Sequence, residues 1–208
     1  MDFLKRILAL VSLTFFIQTS FTQSDNEDRI ISAFQASYTL EKEGEYSEAA
    51  NKLKAVYQED SYELNLRLGW LSYLAGLFSE SIGYYNKAVL LKPYSIEPRL
   101  GVVLPEASIG NWQVVINEYN KILKIDPNNT LVNYRLGSIY YGRNEFEKAK
   151  GYFERVVNLY PFDHDSLLML AWTNLRLQKA REAKVLFVKV LMYNPDDESA
   201  KEGLSLLN

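Results

Sequence analysis

Apolar positions recur with a helical period along most of the chain, in paired segments separated by short polar or glycine-bearing turns. The pattern predicts helices over 27–43, 46–59, 61–75, 78–91, 95–109, 112–124, 129–142, 145–158, 163–176 and 179–192, with a final one from Asp196 to Leu207. Pro93, Pro127, Pro161 and Pro195 follow one another at intervals of 34 residues. Proline lacks the backbone N–H and clashes with the preceding turn, so each one stops a helix and pre-sets the start of the next. Alignment on these prolines brings other positions into register. A bulky aromatic stands eight residues before each (Tyr85, Tyr119, Phe153, Phe187). Ser81, Val115, Ala149 and Ala183 stand twelve before, and Phe78, Trp112, Phe146 and Ala180 fifteen before. One further block upstream, Gly44, Tyr46, Ala49, Leu53 and Val56, fits at a spacing of 32 without a proline.

Small residues explain how such hairpins close. Gly69, Gly137 and Ala171 fall where a first helix crosses its partner, facing Ser81, Ala149 and Ala183. Small groups on both sides let two helices approach closely. The downstream aromatics, including Phe153 and Phe187, then fill the space between successive hairpins. Trp112 shares the register of Phe78 and Phe146 and is expected in the core. A single hairpin cannot hide its apolar face, whereas a stack of them forms one continuous core.

These residues resemble the tetratricopeptide repeat family, most clearly at Leu136-Gly137, Tyr140, Phe146, Ala149, Phe153, Val156 and Pro161. The resemblance covers roughly residues 30–197. It implies an all-α, right-handed α-solenoid of about five hairpins over residues 29–195, with approximate units 30–61, 62–95, 96–129, 130–163 and 164–195. Residues 196–208 would then form a capping helix, with Leu204 and Leu207 covering the last unit. The third unit departs from the pattern. Val103 and Val115 replace the small pair, Glu106 stands where Tyr140 stands one unit later, and Pro105 falls inside the predicted helix. A bent or irregular helix over 95–110 is expected there, because an internal proline costs about 3 kcal/mol or more.

The N-terminus reads as an address. Lys5 and Arg6 precede an apolar run from Ile7 to Ile17, followed by Ser20 and Thr22 as small residues flanking a cleavage point. Residues 1–22 are expected to be a cleaved signal peptide, since the run is much shorter than the roughly 20 residues needed to span a bilayer. Residues 23–28 are polar and expected to be flexible. The mature chain should therefore carry no stable membrane span and reside in a bacterial periplasm or outside the cell.

Composition narrows the chemistry. The chain has no cysteine and one histidine, His164, which leaves few groups for soft-metal binding or proton transfer near neutral pH. His164, between Asp163 and Asp165, reads as a solvated helix start rather than half a metal site. No nucleotide-binding, metalloprotease or serine-hydrolase motif occurs, and Asp126-Pro127-Asn128-Asn129 is a turn. No catalytic residue, metal site or cofactor is expected. The net charge of −3, with no basic block, disfavours nucleic acid. Hydrophobic residues make up 48% and include 15 tyrosines, which supply both core knobs and candidate contact surface.

The resemblance implies that first helices of each hairpin line a concave face. Carried onto this chain, that face comprises Phe34, Tyr38, Arg67, Trp70, Tyr73, Leu100, Leu104, Tyr134, Arg135, Tyr141, Met169 and Trp172. Tyrosine, tryptophan and arginine dominate binding hot spots. The expected role is a non-catalytic scaffold or adaptor of the cell envelope that binds a segment of another protein. The alternatives are a glycan or peptide ligand stacked on the same aromatics, and self-association by stacking of end units. A polar clamp for a C-terminal carboxylate, known in some relatives, is not expected, because Phe34, Tyr38 and Leu100 occupy that region.

Overall fold

The computed structural model describes residues 25–207, so the expected signal peptide at 1–22 lies outside the described residues. The described residues contain helices and no strands. Helix α1 covers residues 25–42, followed by α2 (Tyr46–Lys54), α3 (Tyr62–Leu74), α4 (Phe78–Leu91) and α5 (Glu97–Ser108). Next come α6 (Trp112–Ile125), α7 (Thr130–Gly142), α8 (Phe146–Leu159), α9 (His164–Arg176), α10 (Ala180–Tyr193) and α11 (Glu198–Ser205). Helix α1 begins within the stretch expected to be flexible. Asp25, Glu27 and Asp28 sit in or next to its first turn, where acidic groups favour the positive end of the helix dipole.

The two kinds of turn have different chemistry. Every first helix ends on a residue with positive φ: Gly44, Gly76, Gly110, Asn144 and Gln178. Behind each, an amide reaches back five residues, as in Leu77 N–H to the Ser72 carbonyl at 2.8 Å and Lys179 N–H to the Asn174 carbonyl at 2.9 Å. This pairing satisfies carbonyls that the helix end would otherwise leave open. Second helices end instead before proline. Lys92, Tyr160 and Asn194 have φ near −130° and ψ near +80°, outside the helical region that a following proline disfavours. Without a proline, α2 stops at Lys54, short of the predicted 59, and tightens through a Val56-to-Leu53 bond of 3.1 Å. First helices start on capping side chains spaced by multiples of 34: Ser61, Asn129, Asp163 and Asp197 each accept an amide hydrogen bond three residues on.

The chain divides between Asn111 and Trp112 into two compact units. The division falls inside the expected third hairpin. In the first unit, Ala49, Ala50, Leu53, Leu64, Leu68 and Leu71 form a fully enclosed cluster. The ring of Tyr85 on α4 lies between two glycines: a Cβ would come within 2.8 Å of it at Gly69 on α3 and 2.2 Å at Gly101 on α5. Gly101 thus lets α5 approach α4 closely, at a register position separate from Val103. Helix α5 runs unbroken from Glu97 to Ser108 with Pro105 inside. A proline ring crowds the residue four before it, and that residue is Gly101. In the second unit, Phe153 presses on Gly137 (2.6 Å to an added Cβ) and Phe187 on Gly203 (2.2 Å). Trp112 does not join the core and is 47% exposed. Phe78 and Phe146 rest on the rings of Tyr73 and Tyr141, at 6.0 and 5.3 Å, whereas the repeat's register places Ala107 where those tyrosines stand.

Helix α11 is fastened by polar contacts as well as by Phe187. Asp197 accepts the Ala200 amide at 2.7 Å, and its other oxygen lies 2.7 Å from His164 Nε2. His164 Nδ1 lies 3.0 Å from Asp165. His164 opens α9, as expected, and its partly exposed side chain also links that helix to α11. The hydrogen bonds to Asp165 and Asp197, opposed by desolvation, hold its imidazole above the ordinary value. For Asp197, burial pushes the carboxyl up, but the Ala200 amide and His164 outweigh it and hold the group low.

Two outcomes follow. Gly137→Ala should lose about 1–3 kcal/mol in chemical denaturation through overpacking against Phe153. Gly151→Ala, in open space on α8, should be neutral or gain up to about 1 kcal/mol. The stabilisation from charged His164 is fully present below about pH 6.5 and lost as pH rises through its raised folded value. That from Asp197 is present above about pH 4 and lost as pH falls through its lowered one. The stability difference between the native chain and His164→Gln should therefore be larger at about pH 5.5 than at about pH 8.5.

Candidate functional site

In the first unit, two of the expected site residues, Arg67 and Trp70, are drawn together by Glu41, a carboxylate that the sequence pattern did not single out. Arg67 on α3 is only 8% exposed. Its Nη2 lies 2.5 Å from Glu41 on α1, its Nε donates to Ser37 Oγ at 3.3 Å, and its guanidinium covers the ring of Tyr38 at 3.8 Å. Trp70 donates its indole N–H to the other Glu41 oxygen at 2.6 Å. Desolvation alone would raise the Glu41 carboxyl, but the hydrogen bonds from Trp70 and Arg67, with the Arg67 charge, hold it below its ordinary value. Trp70 and Tyr73 are half-buried with ring centroids 5.9 Å apart, and Phe34 packs on the enclosed cluster. Arg67 and Trp70 are thus not the exposed contacts expected. Their polar atoms join α3 to α1, and Tyr38 remains the open member of the group. Leu100 is half-buried and Leu104 exposed on α5.

The second unit differs. Arg135 on α7 is 68 residues after Arg67, in the same register position, yet it is exposed and makes no ion pair among the described residues. Tyr134 is half-buried against Phe153 with centroids 5.8 Å apart, and Met169 packs on the same cluster. Tyr141 stacks edgewise on Phe146. Trp172 is half-buried edgewise on Phe187 at 5.2 Å and donates to Ser199 Oγ at 2.9 Å. An open cleft lies between the starts of α7 and α9, lined by Thr130, Leu131, Tyr134, Val156, Asp163, Asp165 and Ser166. Leu131 and Asp165 are exposed at its rim, and the Ser166 hydroxyl has no hydrogen-bond partner among the described residues. Of the expected residues only Tyr134 lines this cleft. Leu131, one helical turn before Arg135, was legible as an apolar residue outside the core register of α7.

Among the described residues, no group of three histidine or acidic side chains is placed to hold a metal ion.

Comparison with known proteins agrees with this architecture. Residues 34–96 and 131–163 match tetratricopeptide repeat families. The human peptidyl-prolyl cis-trans isomerase FKBP4 is 27% identical over 146 residues, 69% of this chain and 28% of its own length. The chain therefore spans little more than a quarter of that relative. A tetratricopeptide repeat protein of Parabacteroides merdae superposes with a TM-score of 0.73 at 19% identity, covering 86% of this chain and 72% of the other. YrrB, described as a tetratricopeptide repeat protein with an unusual peptide-binding site, gives 0.68 at 12% identity, covering 89% and 97%. The fold is the all-α helical repeat of the tetratricopeptide type.

The Arg67–Glu41 pair makes a direct prediction. Glu41→Ala strands a buried guanidinium and should cost about 3–5 kcal/mol in denaturant unfolding. The double substitution Arg67→Met/Glu41→Leu should recover most of that loss.

Proposed function

We propose that the chain is a non-catalytic interaction module of the cell envelope that holds a segment of another protein against the first helices of its hairpins. The observation that carries this reading is the α7/α9 cleft, where the Tyr134 ring and Leu131 lie beside the exposed carboxylate of Asp165, with Arg135 exposed one turn after Leu131 on the same helix. An extended peptide would place an apolar side chain on Leu131, Tyr134 and Val156. Its acidic groups would face Arg135 and its amide donors Asp163 and Asp165. Such surfaces, apolar at the centre and charged at the rim, are the pattern of protein recognition. The peptide-binding site named for YrrB supports the reading by likeness of fold. Isomerase chemistry stays with FKBP4, since this chain covers so small a part of it.

Trp70 and Trp172 have their N–H groups engaged internally, so a glycan stacked on them is the weaker reading. The envelope location rests on the order of basic, apolar and small residues at positions 5–22. Among the described residues, no helix is long and apolar enough to cross a membrane.

Affinity capture with the full chain from an extract of its own cell envelope tests the proposal. Leu131→Glu and Arg135→Glu alter exposed residues, so helicity should stay unchanged while partner recovery falls by about tenfold. Undiminished recovery with both variants would place the site elsewhere.

A further inference from the structure

The outer face of α10 breaks the polarity of the repeat. Val185, Val188 and Met192 form one stripe along this helix, and they are exposed by 66%, 38% and 74%. The same register positions are Gly151, Glu154 and Asn158 on α8 and Asn117, Asn120 and Lys124 on α6. On α4 they are Gly83, Asn86 and Leu90. Solvent thus meets polar groups or glycine at this register except on the last full helix and at Leu90. The apolar stripe continues sideways into Tyr193 and Phe162, whose rings meet edge to face at 4.4 Å while Phe162 stays 64% exposed.

Cations frame the stripe. The helical period puts Lys184 on one side of it, Lys189 on the other and Arg181 one turn before it. Lys189 lies 5.6 Å over the Phe162 ring, and none of the three cations forms an ion pair among the described residues. With Glu182 the one exposed carboxylate of α10, three cations to one leave a local excess of positive charge beside protruding apolar side chains in a chain of net charge −3.

We propose that this face of α10 docks on the surface of an anionic lipid bilayer. Side chains that stand out so far leave no groove for a partner helix, whereas the headgroup boundary accepts protruding aliphatic and aromatic groups without shape complementarity. Flanking lysine and arginine add attraction to anionic headgroups. A second copy of the same face would bring these cations against their own kind. The site is separate from the α7/α9 cleft and does not depend on it.

Vesicle flotation of the full chain tests the proposal, with phosphatidylcholine alone and with about a third phosphatidylglycerol added. Retention should require the anionic lipid. Val185→Ser/Met192→Ser should weaken it by about tenfold or more. Lys184→Glu/Lys189→Glu should weaken it by a similar factor, about tenfold, and abolish its salt sensitivity. Leu90→Ser, at the equivalent exposed register on α4, should leave retention unchanged. Absent retention, or equal retention by all variants with helicity intact, overturns the proposal. Sedimentation velocity provides a second readout: a dimer abolished by Val185→Ser/Met192→Ser would make the face a self-interface, also overturning it. Capture of an acidic protein through Lys184 and Lys189 without vesicle retention would overturn it as well.

Discussion

One contact recurs along the stack: an aromatic ring on a second helix pressed against a residue with no side chain, on its own first helix or on the helix that follows. Tyr85 meets Gly69 and Gly101, Phe153 meets Gly137, and Phe187 meets Gly203. Each ring fills the space that the missing Cβ leaves, so helix spacing is set by ring thickness rather than by interdigitating branched side chains. The turns serve this contact. A positive-φ residue after each first helix and a proline after most second helices fix the length of each element. The ring therefore arrives opposite its glycine in the α3/α4 and α7/α8 hairpins.

Most of this architecture was legible because its determinants are local or periodic. Proline spacing, ring positions and small residues at Gly69 and Gly137 are visible along the chain. The failures share a physical cause: they depend on what packs opposite. Trp112 has the register of a core knob, yet it is 47% exposed, because register alone does not supply a packing partner. Gly101 adds a second glycine contact to Tyr85 from the next helix, a position that alignment of the crossing residues did not single out. Asn144 and Gln178 carry the same turn as Gly44 but lack the signal of glycine.

The candidate surface was legible at the level of which helices supply it and less so residue by residue. Arg67 and Arg135 look alike in sequence. Glu41, on another helix, converts the first into a buried strut, while the second stays open. Half-burial of Trp70 and Trp172 follows similarly from acceptors on α1 and α11. Leu131 lies outside the core register of α7, but the cleft that makes it a contact is built by α9, which periodicity along α7 does not reveal.

These contrasts divide the polar chemistry of the chain into two classes. Internal links, Arg67–Glu41 and His164–Asp197, fasten terminal helices to their neighbours. Exposed groups, Arg135 on α7 and Asp165 on α9, face solvent near Leu131 and Tyr134, with one Asp165 oxygen on His164. The division predicts where a bound segment shields the backbone. Hydrogen-exchange mass spectrometry of the full chain, with and without a captured partner, tests it most directly. Added protection should concentrate at residues 130–142 and 163–170. Protection that spares both stretches and falls elsewhere would contradict the assignment of the cleft.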